Sequence, residues 1–328
     1  MLNYHSMGKQ MKKRMTGASG LSRKLLTVML LSISATSWAA DNSVYIEQAG
    51  DDGTITMTQD GSGNRVKGIL SNGTAGGNTD PAKLVGNVQT VTIDQKGPNN
   101  VLTLGANTTV GTNGKGIDIN YKVDTGGNVA FINSNNNGLG VSAGNLIDII
   151  QLGGNAVATV SMLGNTNNLT VRSSGGGGNK IDATINADDV SATVDQTLGG
   201  ANETILALTG DKGYVNITST GAANLTSVTQ DGGATNGNYA KIVLDGSGNQ
   251  TTVSQTGVSD NTVDYKAVGS NNIASITQSG GLTIGQYAKA DILGSHNDVG
   301  IIQQGSVDNL TNIKITGSSN TYRILQKN

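Results

Sequence analysis

Asn249-Gln-Thr-Thr-Val253-Ser-Gln255, Asn272-Ile-Ala-Ser-Ile276-Thr-Gln278, Asn297-Asp-Val-Gly-Ile301-Ile-Gln303 and Asn320-Thr-Tyr-Arg-Ile324-Leu-Gln326 repeat one frame: Asn, three residues, an aliphatic, one residue, Gln. The frame recurs at Asn42–Gln48 with Ile46 in the aliphatic place, at Asn145–Gln151 and at Asn224–Gln230. Gly53–Gln59, Gln89–Gln95 and Val190–Gln196 keep the aliphatic and the Gln behind a different first residue. Asn, the +2 residue, the aliphatic and Gln stand an even number apart, so on a β-strand they share one face, whereas a helix would scatter them. The odd positions, such as Gln250, Thr252 and Ser254, are polar. Each copy is therefore expected to be a strand that turns its Asn, aliphatic and Gln inward.

A second frame interleaves with the first. Asn238–Gly246, Asn261–Gly269, Gln286–Gly294, Asn309–Gly317 and Asn202–Gly210 place aliphatics or Ala where the Gln would be, as at Leu244, Ala267, Ile292, Ile315 and Leu208. Turns reading Gly-Ser-x-Asn separate the strands at Asn249, Asn272, Asn297 and Asn320. Gln230, Gln255, Gln278, Gln303 and Gln326 are spaced 25, 23, 25 and 23 residues apart, room for two strands and two turns. These spacings predict an all-β fold, a β-solenoid of strand–turn–strand coils with about 23–25 residues per coil, stacked in parallel. Equivalent residues would then form aliphatic ladders and amide ladders along the axis, the amides satisfying one another where burial would otherwise be costly. The ladder residues are Asn42, Ile46, Gln48, Gln59, Gln95, Asn145, Gln151, Gln196, Asn224, Gln230, Asn249, Val253, Gln255, Asn272, Ile276, Gln278, Asn297, Ile301, Gln303, Asn320, Ile324 and Gln326.

Composition agrees. Of 328 residues 48 are Gly, 3% are aromatic and 13% charged, with no Cys and two Pro. A disordered chain of low hydrophobicity is normally rich in charge, and collagen needs a Gly-x-y period. Asn, Thr and Gly are poor helix formers. A thin core between two sheets, by contrast, has no need of large aromatic side chains. Insertions are expected near 70–88, 106–115, 133–144 and 173–178. Strands near Ile117–Val123 and Leu169–Arg172 read as degenerate copies, and the strand phase near Tyr214–Thr218 is ambiguous.

The first 39 residues read as a secretory signal peptide. Lys9, Lys12, Lys13, Arg14, Arg23 and Lys24 precede an apolar run from Leu25 to Ile33, and Ser37-Trp38-Ala39 supplies small residues for cleavage. The run is too short for a membrane span. Residues 40–328 then form the repeat domain, with 15 basic and 23 acidic residues and a net charge of −8. That charge disfavours a nucleic-acid partner. Without Cys, an exported chain has no disulfide framework.

Gln59-Asp-Gly61-Ser-Gly63-Asn64-Arg-Val66, Gln48-Ala-Gly50, Gln255-Thr-Gly257 and Gln278-Ser-Gly280 resemble the curlin repeat, whose pattern centres on Gln-x-Gly-x-Gly-Asn-x-Ala followed by a further Gln. The resemblance covers most of 42–328, strongly at both ends and weakly from 100 to 220. It implies a secreted, surface-located subunit of an extracellular, curli-like amyloid fibre that supports cell adhesion and a biofilm matrix. It also implies partners among other curli-type subunits and an outer-membrane secretion channel. With repeat sequence beginning at Asn42, no counterpart of that family's non-repeat N-terminal targeting segment is expected.

Catalytic signals are weak. His296 stands alone in the variable place of a Gly-Ser-x-Asn turn, and with no Cys there is no zinc set. Gly138-Leu-Gly140 mimics a dinucleotide loop but lacks the strand and helix that would give it meaning. Asp51-Asp52 and Asp188-Asp189 fall outside any calcium-loop pattern. Thr54, Thr56, Thr58, Thr90 and Thr92 line an outward face, as in ice-binding solenoids, yet later coils do not continue them. No enzyme activity, cofactor or metal is expected. Two readings remain: a self-associating fibre subunit, with uncapped strands at Asn42–Gln48 and Asn320–Gln326 stacking head to tail, or a monomeric secreted solenoid adhesin or fibre-like binding rod.

Overall fold

The computed structural model describes residues 46–328 apart from 50–51, 86–87, 109–117, 124–125, 137–145, 151, 165–166, 176, 198–199, 201, 211, 233–236, 258–259 and 281–284. The expected signal peptide, Asn42, Asn145 and Gln151 lie outside the described residues. The strands are β1 Ile46–Ala49, β2 Asp52–Thr56, β3 Arg65–Lys67, β4 Ala82–Val85, β5 Val88–Thr92, β6 Val101–Thr108, β7 Asp118–Ile119 and β8 Val129–Asn136. Then come β9 Leu146–Asp148, β10 Val157–Leu163, β11 Asn168–Thr170, β12 Lys180–Asn186, β13 Ser191–Thr193, β14 Glu203–Thr209, β15 Tyr214–Asn216 and β16 Leu225–Asp231. The last are β17 Tyr239–Lys241, β18 Gln250–Thr256, β19 Thr262–Val268, β20 Ile273–Gly280, β21 Tyr287–Leu293, β22 Asp298–Gly305, β23 Leu310–Thr316 and β24 Thr321–Lys327.

These strands form a β-solenoid. Sheet I runs β1-β4-β6-β8 and then through the even strands to β24, with β3 also paired to β6; sheet II runs β2-β5 and then through the odd strands to β23. Every pairing between named strands is parallel, as winding in one direction requires. From Val157 onward register partners in sheet I lie 22–25 residues apart, and between Val101 and Val157 they lie 28 apart.

Strict alternation of burial follows from period 2: β10 reads exposed, buried, intermediate, buried along its length, and β16 and β18 likewise bury every second residue. The core is a set of aliphatic columns between the sheets. Leu104, Ile132, Val160, Ala183, Leu206, Val228, Val253, Ile276 and Ile301 stack on the sheet I side, and all are buried.

The insertions are narrower than the sequence suggests. The expected loop 70–88 contains β4 and the start of β5. The true excursion is 68–81, spliced into the middle of a sheet I strand. β3 supplies the first half of that strand and β4 the second, because β6 pairs with both. The excursion doubles back on itself through Gly68 N–H to Asp80 O, Gly76 N–H to Gly68 O and an antiparallel bridge between Ile69 and Ala75. In the same way β6 continues to Thr108 and β8 to Asn136, so the loops expected from 106 and 133 start later. Residues 173–175 and 177–178 are loop as expected.

The corners are tightly stacked. Among the described residues, those before the sheet I Asn side chains adopt a left-handed conformation, whether Asn99, Ala223, Gly248, Asn271, His296 or Ser319. Two residues earlier stand Gly246, Gly269, Gly294 and Gly317. A methyl group at Gly269 (φ +118) would lie 2.1 Å from the Gly294 carbonyl oxygen, whereas at Gly317 (φ +116) the nearest atom, Asn320 Nδ2, would be 3.7 Å away. Gly317→Ala should therefore cost only backbone strain, about 1–2 kcal/mol, and Gly269→Ala upwards of about 3 kcal/mol. Equal urea midpoints for the two variants would refute the stacking argument.

Candidate functional site

The features that distinguish this chain chemically are its buried amide columns and the end at which they stop. In sheet I the Asn column comprises Asn64, Asn100, Asn128, Asn179, Asn202, Asn224, Asn249, Asn272 and Asn297, all at most 1% exposed, and then Asn320. Ala156 interrupts it between Asn128 and Asn179, and Asn179 Oδ1 is buried without a partner, but from Asn202 onward its polarity is uniform. Asn249 Oδ1 accepts both the backbone N–H (2.9 Å) and the Nδ2–H (3.1 Å) of Asn272. Asn272 Oδ1 receives the same pair from Asn297, and Asn297 Oδ1 from Asn320. Each acceptor thus points toward the C-terminal end.

The Gln column runs the other way. Gln230 Nε2 donates to Gln255 Oε1 (2.8 Å), Gln255 to Gln278 (2.9 Å), Gln278 to Gln303 (2.8 Å) and Gln303 to Gln326 (2.9 Å). Here the donor points toward the C-terminal end. The same amides cross the core to the facing sheet: Gln255 Nε2 reaches Tyr239 O, Gln278 reaches Thr262 O and Gln303 reaches Tyr287 O. Small residues next along those facing strands, Ala240 and Ala288, leave room for that reach. Sheet II has its own column, Asn238, Asn261, Gln286 and Asn309, joined by the backbone N–H of each residue and the side-chain oxygen one coil before.

One expectation needs correcting. The ten copies of the Asn-x5-Gln frame do not form a single ladder. Those ending in Gln59, Gln95 and Gln196 belong to sheet II, following β2, β5 and β13, whereas Gln230 to Gln326 belong to sheet I. Gln48, in β1 of sheet I, has Leu84 as its register partner rather than another Gln. The sheet I column continues from Leu84 through Met162, Ile185 and Leu208 before reaching Gln230. The cause is the segment Tyr214–Thr218, which contains a full sheet II strand, β15, with Ser219 in the Gln place. The frame therefore moves from one sheet to the other between Gln196 and Gln230.

Three Gln oxygens are stranded where the next residue on that side of the column is not a Gln. Gln95 donates 2.7 Å to Gln59 Oε1, but its own Oε1 is buried without a partner, as are those of Gln196 and Gln230. Gln230 Oε1 instead faces Gly213, where a methyl group would approach within 2.7 Å. The Asn residues at 64, 100, 128 and 179 join the sheet I Asn column although no Gln closes their frame, and Asn202, which the second frame includes, precedes a sheet I strand as well. The Gly-Gly-Asn and Gly-x-Gly-Asn turns at 128, 179 and 64 were the available signal.

Two buried tyrosines sit in the sheet II columns. Neither the Tyr121 nor the Tyr265 hydroxyl finds a hydrogen bond of good geometry. Burial raises both acidities' midpoints, pushing Tyr265 up to about 12, offset slightly by the nearby Thr251 hydroxyl; Tyr121 is raised by burial as well. An unfolded tyrosine loses its proton near pH 10. Between pH 10 and 12 the unfolded chain has lost protons the folded chain keeps, so stability falls as pH rises through that window. The Tyr121→Phe, Tyr265→Phe double variant should flatten this loss and gain about 1–3 kcal/mol from removing the orphaned hydroxyls. A parent-like slope of urea midpoint between pH 9 and 11.5 would contradict it.

Among the described residues no three His, Asp or Glu side chains come together as a metal set, and His296 lies exposed in its turn. The outer face of sheet I has a shallow depression of about 270 Å³ where Gly300 lacks a side chain, bordered by Thr277, Asp298, Ile302, Arg323 and Leu325.

At the C-terminal end the columns stop at open valences. Among the described residues no strand pairs with the outer edges of β23 and β24. Among the described residues no N–H donates to Asn320 Oδ1, and Gln326 Nε2 uses one hydrogen on Leu310 O (3.2 Å). The backbone polarity is defined as well. Asp298 N–H donates to Asn320 O and Asn328 N–H to Gln304 O, so in β24 the even residues face β22. The N–H and C=O groups of Thr321, Arg323, Leu325 and Lys327 therefore face the open edge. No protein family description matches this chain, and no curated protein or solved structure matches it.

Proposed function

We propose that this protein is a secreted structural subunit of a curli-like extracellular fibre, built by head-to-tail stacking of solenoids outside the cell. The observation that carries the reading is the open C-terminal end. There, among the described residues, the odd-numbered backbone groups of β24, the Asn320 Oδ1 acceptor and the second Gln326 Nε2 hydrogen have no partner. Such an edge is a template for another strand, and a contact between two different ends propagates instead of closing. A parallel strand bearing Asn and, six residues on, Gln fills it completely, and Asn42–Gln48 has that frame. The curlin-repeat resemblance agrees with this assignment, as do the expected export signal and the absence of Cys.

The chain from Ala40, purified and held at tens of micromolar, should form unbranched fibres that bind thioflavin and diffract with the ~4.8 Å inter-strand repeat. A protein that stays monomeric and dye-negative for days would make the rod-like adhesin the better reading.

A further inference from the structure

Winding gathers tyrosines that the sequence scatters. Tyr214, Tyr239, Thr262, Tyr287 and Leu310 follow one another along a single outward column of sheet II, one per coil, through the register Tyr214↔Tyr239, Tyr239↔Thr262, Thr262↔Tyr287 and Tyr287↔Leu310. The Tyr214 and Tyr239 rings stack, with 5.2 Å between centroids and 5° between planes. One face of the Tyr239 ring is thus covered from the coil before, and its other face looks along the column over the short side chain of Thr262. Tyr287 stands on the far side of Thr262, two coils or ~9.6 Å from Tyr239. That interval admits one further ring, since stacked ring centroids lie ~4.5–7 Å apart.

Beside this column the same face carries one Lys per coil over four successive coils, Lys241, Lys266, Lys289 and Lys314. Lys289 pairs with Asp264 at 3.3 Å, whereas Lys241, Lys266 and Lys314 are exposed and make no ion pair among the described residues. With Asp264 and Asp291 as the acidic side chains between them, β17, β19, β21 and β23 carry a net charge of +2, against −8 for residues 40–328. The corner carboxylates of Asp260 and Asp308 accept the backbone N–H groups of Gly237 and Gly285.

We propose that this face of sheet II binds an acidic polysaccharide laid along the solenoid axis, with a pyranose ring entering between Tyr239 and Tyr287 and uronate carboxylates meeting the lysines. The repeats match: the face offers one ammonium group per coil of ~4.8 Å, and an extended, equatorially linked polyuronate offers one carboxylate per sugar at nearly the same rise. A tyrosine ring face is apolar and electron-rich, which suits the C–H side of a pyranose, and the Thr262 hydroxyl between the two rings can bond a sugar hydroxyl. A neutral glycan would leave the unpaired ammonium groups unused, and an acidic peptide would leave the ring face unused. The site needs no free end of the solenoid, so it is independent of fibre formation.

The test measures binding of the purified protein to labelled polymannuronate, to its carboxyl-reduced form, a mannan, and to polyglutamate. Polymannuronate should bind at about 0.05 M NaCl and lose about tenfold in affinity at about 0.5 M. Mannan and polyglutamate should each bind at least about tenfold more weakly than polymannuronate at the lower salt. Lys241→Gln, Lys266→Gln and Lys314→Gln together, and separately Tyr239→Ser, should each weaken polymannuronate binding about tenfold while the urea midpoint stays that of the parent. No binding of polymannuronate overturns the proposal. Polyglutamate binding as tightly removes recognition of the sugar, mannan binding as tightly removes the role of the lysines, and an oligothymidylate binding more tightly puts a nucleic acid in place of the polysaccharide; each of these overturns it as well. If the Tyr239→Ser chain does not fold, the comparison of ligands on the parent decides.

Discussion

A chain carrying Leu325→Pro and Asn312→Pro will remain a folded monomer yet lose fibre elongation by about 100-fold or more. Proline removes a backbone donor and costs ~3 kcal/mol where that donor is needed, but an edge strand tolerates it when the N–H points away from the sheet. The N–H groups of Leu325 and Asn312 point away from β22 and β21, toward the open side, because even-numbered residues along β24 and odd-numbered residues along β23 face inward, as the bonds at Asn320 and Asn328 and at Asn309 and Gly317 show. Proline at Tyr322 or Ile324 would instead sever β24 from β22 and destabilise the monomer. The comparison therefore separates assembly from folding: thermal midpoints should stay within a few degrees for Leu325→Pro and Asn312→Pro and drop for Ile324→Pro. Unimpaired elongation by the folded Leu325→Pro, Asn312→Pro chain would mean that growth does not proceed through this edge.

The second large effect concerns Gln278. Its Nε2 serves Gln303 Oε1 (2.8 Å), Thr262 O (2.9 Å) and Gln286 O (2.9 Å), and its Oε1 receives Gln255 Nε2 (2.9 Å). Gln278→Ala removes these bonds, strands the Gln303 oxygen in a dry core and leaves a cavity, for a loss of about 3–5 kcal/mol. Gln278→Leu keeps the volume and should cost less, about 1–3 kcal/mol. Replacing Gln230, Gln255, Gln278, Gln303 and Gln326 together by Leu should cost less than five separate Leu variants summed, since no amide is then left without its partner. Met162, Ile185 and Leu208 show that the same column accepts apolar side chains. If Ala and Leu at 278 prove equally stable in urea, or the five Leu substitutions simply add, the amides do not act as a coupled ladder.

Local pattern was enough to read much of this molecule. The even spacing of Asn249, Val253 and Gln255 and of their equivalents made the strands, their buried faces and the coil length legible, because side-chain direction in a strand depends only on parity and coil length only on counting residues between turns. Burial at these positions agrees, from Asn224 to Gln303. Insertions were harder. Residues 82–85 look like loop because Gly76, Gly77 and Pro81 precede them, and only pairing with β1 and β6 makes them a strand.

What the local pattern could not carry was the sheet to which each copy belongs. Both sheets face one core, so the frame Asn-x5-Gln suits either, and nothing within Val190–Gln196 or Asn224–Gln230 distinguishes them. Membership depends on the number of strands wound between two copies, and a single weak strand, Tyr214–Asn216, moves every later Gln to the opposite sheet. Three stranded oxygens, on Gln95, Gln196 and Gln230, mark the places where a Gln has an apolar or hydroxyl neighbour in its column instead of another Gln. The same holds for the open end. The composition of residues 309–328 is visible in the chain, but which backbone donors face outward, and that the Asn and Gln columns end with opposite polarity, depend on how each amide is oriented by the coil before it.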